Sequence, residues 1–242
     1  MKVLSLFKRK PETPVCSAVI VAAGSSQRMG SDKLQADLGS MPVLARTLLA
    51  FQRSALVEEI VVVTRMDRVA QVADLCKEYK IDKASKVICG GKTRVESALA
   101  GVSEVSPKAK LIAIHDGARP LVTEEVILRT VHAAQEYLAA APAVKSTDTL
   151  KAVDEKGFII GTVDRESVLR IQTPQVFKAE FIKGALTKAV KDGLPVTDDC
   201  SAMELMGVKC RTVPGDEDNI KITTPRDLAL AAAILKDRGE IL

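Results

Sequence analysis

The 242-residue sequence has no tryptophan, and aromatic residues make up only 3% of it. That leaves almost nothing on which nucleic-acid bases could stack, and the only basic cluster is Lys8-Arg9-Lys10, so nucleic acid is not an expected partner. No two of the five cysteines (Cys16, Cys76, Cys89, Cys200, Cys210) stand at C-x-x-C spacing, which argues against a zinc site. Their odd number points to a reducing, cytoplasmic setting rather than a disulfide framework. The longest apolar run, near residues 228–235, is far shorter than the roughly 20 residues that cross a bilayer, so no membrane association is expected. Residues 1–14 lack an apolar signal core and are expected to be a flexible leader ahead of a single domain over 15–242.

What is present reads as an ordinary globular chain, with 47% hydrophobic and 27% charged residues. It is large enough to bury a core without help from disulfides or metal. The net charge of +4 suits anionic small substrates. Short aliphatic runs at 17–21, 59–64, 86–89 and 110–115 read as buried parallel strands, with later strands at 143–146 and 209–213. Between them run helical stripes: Val43, Leu44, Thr47, Leu48 and Phe51; Val95, Ala98, Leu99 and Val102; and Val126, Ile127, Thr130, Val131, Ala134 and Leu138. A less regular fourth stripe covers 66–79, and Thr224-Pro225 caps and opens a last helix. This order predicts an α/β, Rossmann-like sandwich with a mostly parallel central sheet. The stretch 147–173 breaks the rhythm. Two short runs, 149–153 and 158–163, flank a turn-rich Asp154-Glu155-Lys156-Gly157, predicting a protruding β-arm. A lone hairpin is marginal in water, so the arm should lean on a second subunit or on the chain's own body.

Ligands of open parallel sheets bind beyond the C-terminal strand ends. After the first strand, Gly24 opens a small-residue loop with neither G-x-G-x-x-G nor Walker A spacing, from which Arg28 and Lys33 could reach a phosphate. The same residues would also serve as a plain βα turn with two solvated cations. After the third strand, Gly90-Gly91 could let a flat base approach the backbone, with Ser97 adding a hydroxyl one turn on. After the fourth, Asp116 stands where a carboxylate could hold a divalent cation against phosphate oxygens, or could cap a loop. His115 reads as a packed strand-end residue, and His132 receives no role. Further on, Asp218 could be a second metal ligand and Lys221 a phosphate contact, in what could equally be a solvated loop. Asp198 and Asp199 read as a helix N-cap and a first-turn acid.

The stretches AVIVAAGSSQRMGSDK, GGKTRVES, HDGARP, TDTLK with TVDRES, QTPQVF, TDDCSAMELMG and DNIKITTPRDLALA, in that order, resemble the 2-C-methyl-D-erythritol 4-phosphate cytidylyltransferase family. The resemblance runs from Cys16 to about Leu235. It implies Mg²⁺-dependent transfer of CMP from CTP to the phosphate of 2-C-methyl-D-erythritol 4-phosphate, with release of pyrophosphate, by a homodimer built through the 147–173 arm. It implies that Gly24, Arg28 and Lys33 grip the triphosphate, and that Ala22, Ala23, Gly90 and Ser97 surround the nucleoside. Asp116 is then expected on Mg²⁺ or the nucleotide, and Arg119, Thr149, Arg165, Thr173 and Lys221 on the sugar phosphate, with Arg165 reaching in from the other subunit. The chain departs from the family at Ser26, where glycine is usual, at Lys92, often acidic, and at Gly117, often alanine. A cytidylyltransferase for another polyol phosphate such as ribitol 5-phosphate, a molybdopterin-type nucleotidyltransferase, and a non-catalytic nucleotide-binding regulator on the same fold are the alternatives.

Overall fold

The computed structural model describes residues 15–24 and 32–241. The expected leader and the loop positions 25–31, Arg28 and Ser26 among them, lie outside the described residues. Four strands, β1 (Cys16–Ala22), β2 (Val57–Thr64), β3 (Ala84–Cys89) and β4 (Leu111–Asp116), run parallel with β1 between β2 and β4. They are aliphatic on successive positions because both faces of the sheet are covered. Ala18, Ile20, Ile60 and Val62 face one core, while Val19, Val61 and Val63 face the other.

The first core is closed by α1 (Val43–Arg53), α2 (Val69–Glu78) and α4 (Glu124–Tyr137). The second is closed by α3 (Arg94–Glu104), α5 (Ala179–Lys191) and α6 (Asp199–Glu204). The α1 stripe is buried as its spacing predicts, with Phe51 fully enclosed. Truncating such a side chain to alanine costs about 3–5 kcal/mol. A third, smaller cluster seats Ala231 and Leu235 of α7 (Pro225–Asp237) on Leu38, Val43, Leu121 and Ile222. Thr224 caps α7 through its side chain and Pro225 follows, as the sequence predicts.

The sheet continues past β4 through β9 (Gln175–Lys178), β5 (Ala139–Lys145) and β10 (Arg211–Pro214), with β8 (Leu169–Ile171) beside β5. Only β8 and β9 run antiparallel to their neighbours, so the sheet is mostly parallel. Three expectations need correction here. The fifth strand begins at Ala139, not 143, because Leu138 takes φ 71 and ends α4 sharply, turning an alanine run that reads as helix into strand. For the same reason Leu138 is partly exposed rather than part of the α4 stripe. The segment 66–79 divides into a 3₁₀ turn, Met66–Arg68, and α2, with Met66 left exposed.

The arm is a separate two-stranded ribbon, β6 (Lys151–Val153) with β7 (Ile159–Thr162), paired to no strand of the main sheet. Asp154 organises its turn by accepting from the backbone N–H groups of Lys156 and Phe158. Phe158, Ile159 and Ile160 are 68%, 65% and 67% exposed, so the described residues of the chain's own body do not cover them.

Candidate active site

The C-terminal ends of β1, β3 and β4 open onto one cavity of about 380 Å³. Its wall includes Ala22, Ala23 and Gly24 after β1, Ser97 and the 91–94 turn after β3, and Asp116 and Ala118 at β4. Lys33, farther along the β1–α1 connection, and Lys221, in the loop before α7, complete it. Among the described residues, four cationic side chains (Lys33, Lys92, Arg94, Lys221) thus share a concave wall with one carboxylate, Asp116. In a recess with low-dielectric sides, such an excess attracts polyanions.

Asp116 is the hub. Lys221 Nζ lies 2.9 Å from its Oδ2, Arg119 Nε 3.5 Å from the same oxygen, and Arg94 Nη2 3.6 Å from Oδ1. Burial alone would raise the carboxyl, but Lys221 and Arg94, with Arg119 behind them, hold it well below the usual carboxylate range. Arg119 itself points inward. It donates to the Asn219 carbonyl at 2.6 Å, and burial draws its guanidinium below the ordinary value while Asp116 opposes the shift.

Behind Asp116 runs a buried hydrogen-bond chain. The Asp116 N–H donates to Thr173 Oγ1 at 3.2 Å, and that hydroxyl lies 3.0 Å from His115 Nδ1. His115 Nε2 is 3.1 Å from the Arg119 carbonyl, which can only accept. The proton therefore sits on Nε2, and Nδ1 accepts from Thr173. Burial pushes the imidazole down to about 4, so it stays neutral. Asn219, fully buried, donates to the Thr173 carbonyl at 2.9 Å and ties the 215–222 loop to the same chain.

Other predicted positions fall differently. Gly90 is outside the wall; a Cβ there would meet Ser97 Oγ at 2.7 Å and Ala23 Cβ at 2.8 Å, so its missing side chain lets β1 and α3 close together. Ser97 lines the cavity, with its hydroxyl donating to the Thr93 carbonyl at 2.9 Å. Asp218 is turned away to Arg238, 3.1 Å distant, and does not line the cavity. Thr149 and Arg165 are exposed on the arm segment, and Arg165 donates to the Thr147 carbonyl at 3.5 Å, away from the cavity wall. Thr173 is buried behind Asp116 rather than open to the cavity.

Sequence reasoning missed Arg94. Its guanidinium forks onto Asp199 at 2.9 and 2.8 Å, 105 residues away. Burial would lower the guanidinium, and the Asp199 carboxylate more than reverses this, keeping it firmly protonated. Asp198 and Asp199 do occupy the N-cap and first turn of α6, as expected. Gln175 Oε1 accepts from the N–H groups of Asp199 and Cys200, and its amide donates to Asp198.

A family model described as IspD, 2-C-methyl-D-erythritol 4-phosphate cytidylyltransferase, matches residues 16–237. The chain belongs to this cytidylyltransferase family. Its sequence is 43% identical to the 2-C-methyl-D-erythritol 4-phosphate cytidylyltransferase of Caldanaerobacter subterraneus subsp. tengcongensis, over 91% of this chain and 98% of the relative. It is 41% identical to the enzyme of the same name from Syntrophus aciditrophicus, over 94% and 99%. A crystal structure of 4-diphosphocytidyl-2C-methyl-D-erythritol synthase from Anaerococcus prevotii superposes with a TM-score of 0.84 at 33% identity, covering 93% of this chain and 100% of that one. Of the stretches that carry the cytidylyltransferase resemblance, GGKTRVES, HDGARP and DNIK meet at the cavity, where they supply Arg94, Asp116 and Lys221.

Proposed function

We propose that this chain transfers the CMP unit of CTP to the phosphate of 2-C-methyl-D-erythritol 4-phosphate and releases pyrophosphate. The observation that carries this reading is the cation-rich wall around Asp116 at the C-terminal sheet rim, in a chain of this family. A phosphate oxygen of the acceptor attacks the α-phosphorus of CTP, and the bond to the β-phosphate oxygen breaks with its electron pair leaving on pyrophosphate. The nucleophile is a phosphate monoester whose second pKa is about 6, so it is largely dianionic at neutral pH and no general base is needed. His115, buried and neutral, accordingly has a supporting part. The barrier is repulsion between two polyanions, together with charge building on the leaving group. Cations fixed in the wall before the substrates arrive lower both contributions.

Gly24 and Lys33, with Arg28 from the adjoining loop, serve the triphosphate, and Ala22, Ala23 and Ser97 frame the nucleoside. Lys221 serves the acceptor phosphate on the other side of Asp116, while Arg119, turned inward to the Asn219 carbonyl, backs the carboxylate from behind. Asp116 is the single carboxylate among the described residues of the wall and is held ionised, which fits Mg²⁺, an ion usually held by one or two protein carboxylates plus phosphate oxygens. Such an ion would supply charge neutralisation at the phosphates. Asp218, engaged by Arg238, is left out of that role. The exposed apolar face of the arm supports a homodimer in which Arg165 and Thr149 are delivered to the partner's acceptor site. All five cysteines are free, in keeping with a cytoplasmic enzyme, and no helix among the described residues is long and apolar enough to cross a membrane.

The test is pyrophosphate release with 2-C-methyl-D-erythritol 4-phosphate and CTP, UTP or ATP, and with ribitol 5-phosphate in place of the acceptor. Release with CTP and methylerythritol phosphate, well above every other pairing, is expected. Equal or faster turnover of ribitol 5-phosphate, or no release at all, overturns the reading.

A further inference from the structure

We infer that Arg94, clamped by Asp199, is a positioning residue that fixes the plane of the Asp116 carboxylate for the transfer step. The inference rests on the function proposed above. Three features of the site lead to it.

First, Arg94 is placed where a cation has little local reason to be. It is the first residue of α3, and the positive end of a helix dipole disfavours a guanidinium there. The capping of that helix is already complete, since Thr93 and Glu96 form a reciprocal capping box. Second, its anchor is unusually firm. Both Nη atoms bond the two oxygens of Asp199, whose side chain is only 1% exposed. Asp199 is in turn fixed through its backbone N–H by Gln175, on a strand adjacent to β4. A planar fork on a planar carboxylate leaves the guanidinium little rotational freedom.

Third, that fixed guanidinium faces the hub of the site. Its Nη2 is closest to Asp116 Oδ1, whereas Lys221 and Arg119 approach Oδ2. Asp116 is thus held from two sides, and one holder is rigidly mounted on the opposite core layer. Lys221, on a loop and 39% exposed, can move with an arriving phosphate. Arg94 keeps the carboxylate from following it. A strut that served folding alone would have no need to line the cavity, as Arg94 does.

The experiment compares Arg94→Lys, Arg94→Ala, Asp199→Asn and the Arg94→Lys/Asp199→Asn double variant. The readouts are kcat, KM for CTP and for methylerythritol phosphate, and melting temperature. Lysine keeps a positive charge near Asp116 but cannot make the two-point bond, so both Arg94 variants should lose kcat on the order of 10–100-fold, with each KM changed only about two- to threefold. Asp199→Asn should match them, and the double variant should be no slower than either single one, because all break the same clamp. Full kcat in Arg94→Lys would show that charge alone matters and would overturn the inference. So would a loss confined to KM, which would make Arg94 a plain substrate contact. If Asp199→Asn fails to fold, the two Arg94 variants still decide the matter. Wild-type turnover with unimpaired Arg94→Lys sinks this inference alone, whereas a wild-type chain without turnover sinks the functional reading beneath it as well.

Discussion

His115 links the fold's pH stability to the organisation of the site. Burial lowers its imidazole from 6.5 to about 4, opposed by the bond to the Arg119 carbonyl and the charge of Asp116 and reinforced by the Arg119 and Lys221 charges. The unfolded chain therefore takes up the proton at higher pH than the folded one, and stability falls as pH drops through the window from 6.5 to about 4. At roughly 1.36 kcal/mol per pH unit, the full loss across that window is about 3 kcal/mol. The Asp116 carboxyl is shifted in the same direction and its contribution is likewise lost on acidification: it is present above the ordinary carboxylate pKa of about 3.9 and is lost only below it, so the two windows barely overlap. The assay is urea unfolding of wild type and His115→Gln from pH 8 to pH 4. Glutamine can still reach the Arg119 carbonyl but does not titrate. The wild-type advantage should be level above pH 7 and shrink by about 3 kcal/mol toward pH 4. Proton NMR gives an independent check, because His132, the only other histidine, is exposed. A pH-independent difference, or a His115 resonance titrating near 6.5, would refute the buried neutral ring and the Thr173 hydrogen-bond direction built on it.

Lys33→Ala and Arg28→Ala should each lower kcat by about 10²–10³ while melting like wild type, as expected for loss of a preorganised charge; near-normal turnover in both would remove the triphosphate role of that loop. Phe158→Asp together with Ile160→Asp should convert a dimer into a species near 25.9 kDa by light scattering; wild type already at that mass would end the trans-acting role of Arg165. Gly90→Ala should destabilise the fold by about 1–3 kcal/mol in urea unfolding, because the added Cβ overlaps Ser97 and Ala23; an unchanged midpoint would mean that β1 and α3 can part freely.

Much of the architecture could be read from the chain. Aliphatic runs such as 17–21 and 59–64 have no polar alternation because both sheet faces are covered, and that pattern survives without any tertiary knowledge. The α1 stripe is equally plain, since Val43, Leu44, Thr47, Leu48 and Phe51 obey a single helical period; Ala45, also buried, lies off it. What escaped were elements whose identity depends on neighbours far away. Gln175–Lys178 is four residues long and begins in Gln-Thr-Pro-Gln, which reads as loop; it is a strand because β4 and β5 leave a slot between them. Ala139–Pro142 has helix-like composition and is strand only because the backbone turns at Leu138.

The site shows the same division. Glycines and cations just past strand ends mark the rim, so Gly24, Lys33, Asp116 and Lys221 were legible from their places along the sequence. Arg94 was not, because its significance comes from Asp199, and nothing local to either residue tells that α3 and α6 present their first turns to each other. Arg119 and Thr173 were legible as site residues but not in their duties. One turns to the Asn219 carbonyl and the other is buried between Asp116 and His115.

A crystal structure with CTP and a divalent cation tests the central claim most directly. The account places the triphosphate between Gly24, Lys33 and Asp116, with the base toward Ala22 and Ser97 and Lys221 left facing the acceptor side. A triphosphate held elsewhere, out of reach of both Lys33 and Asp116, would contradict it.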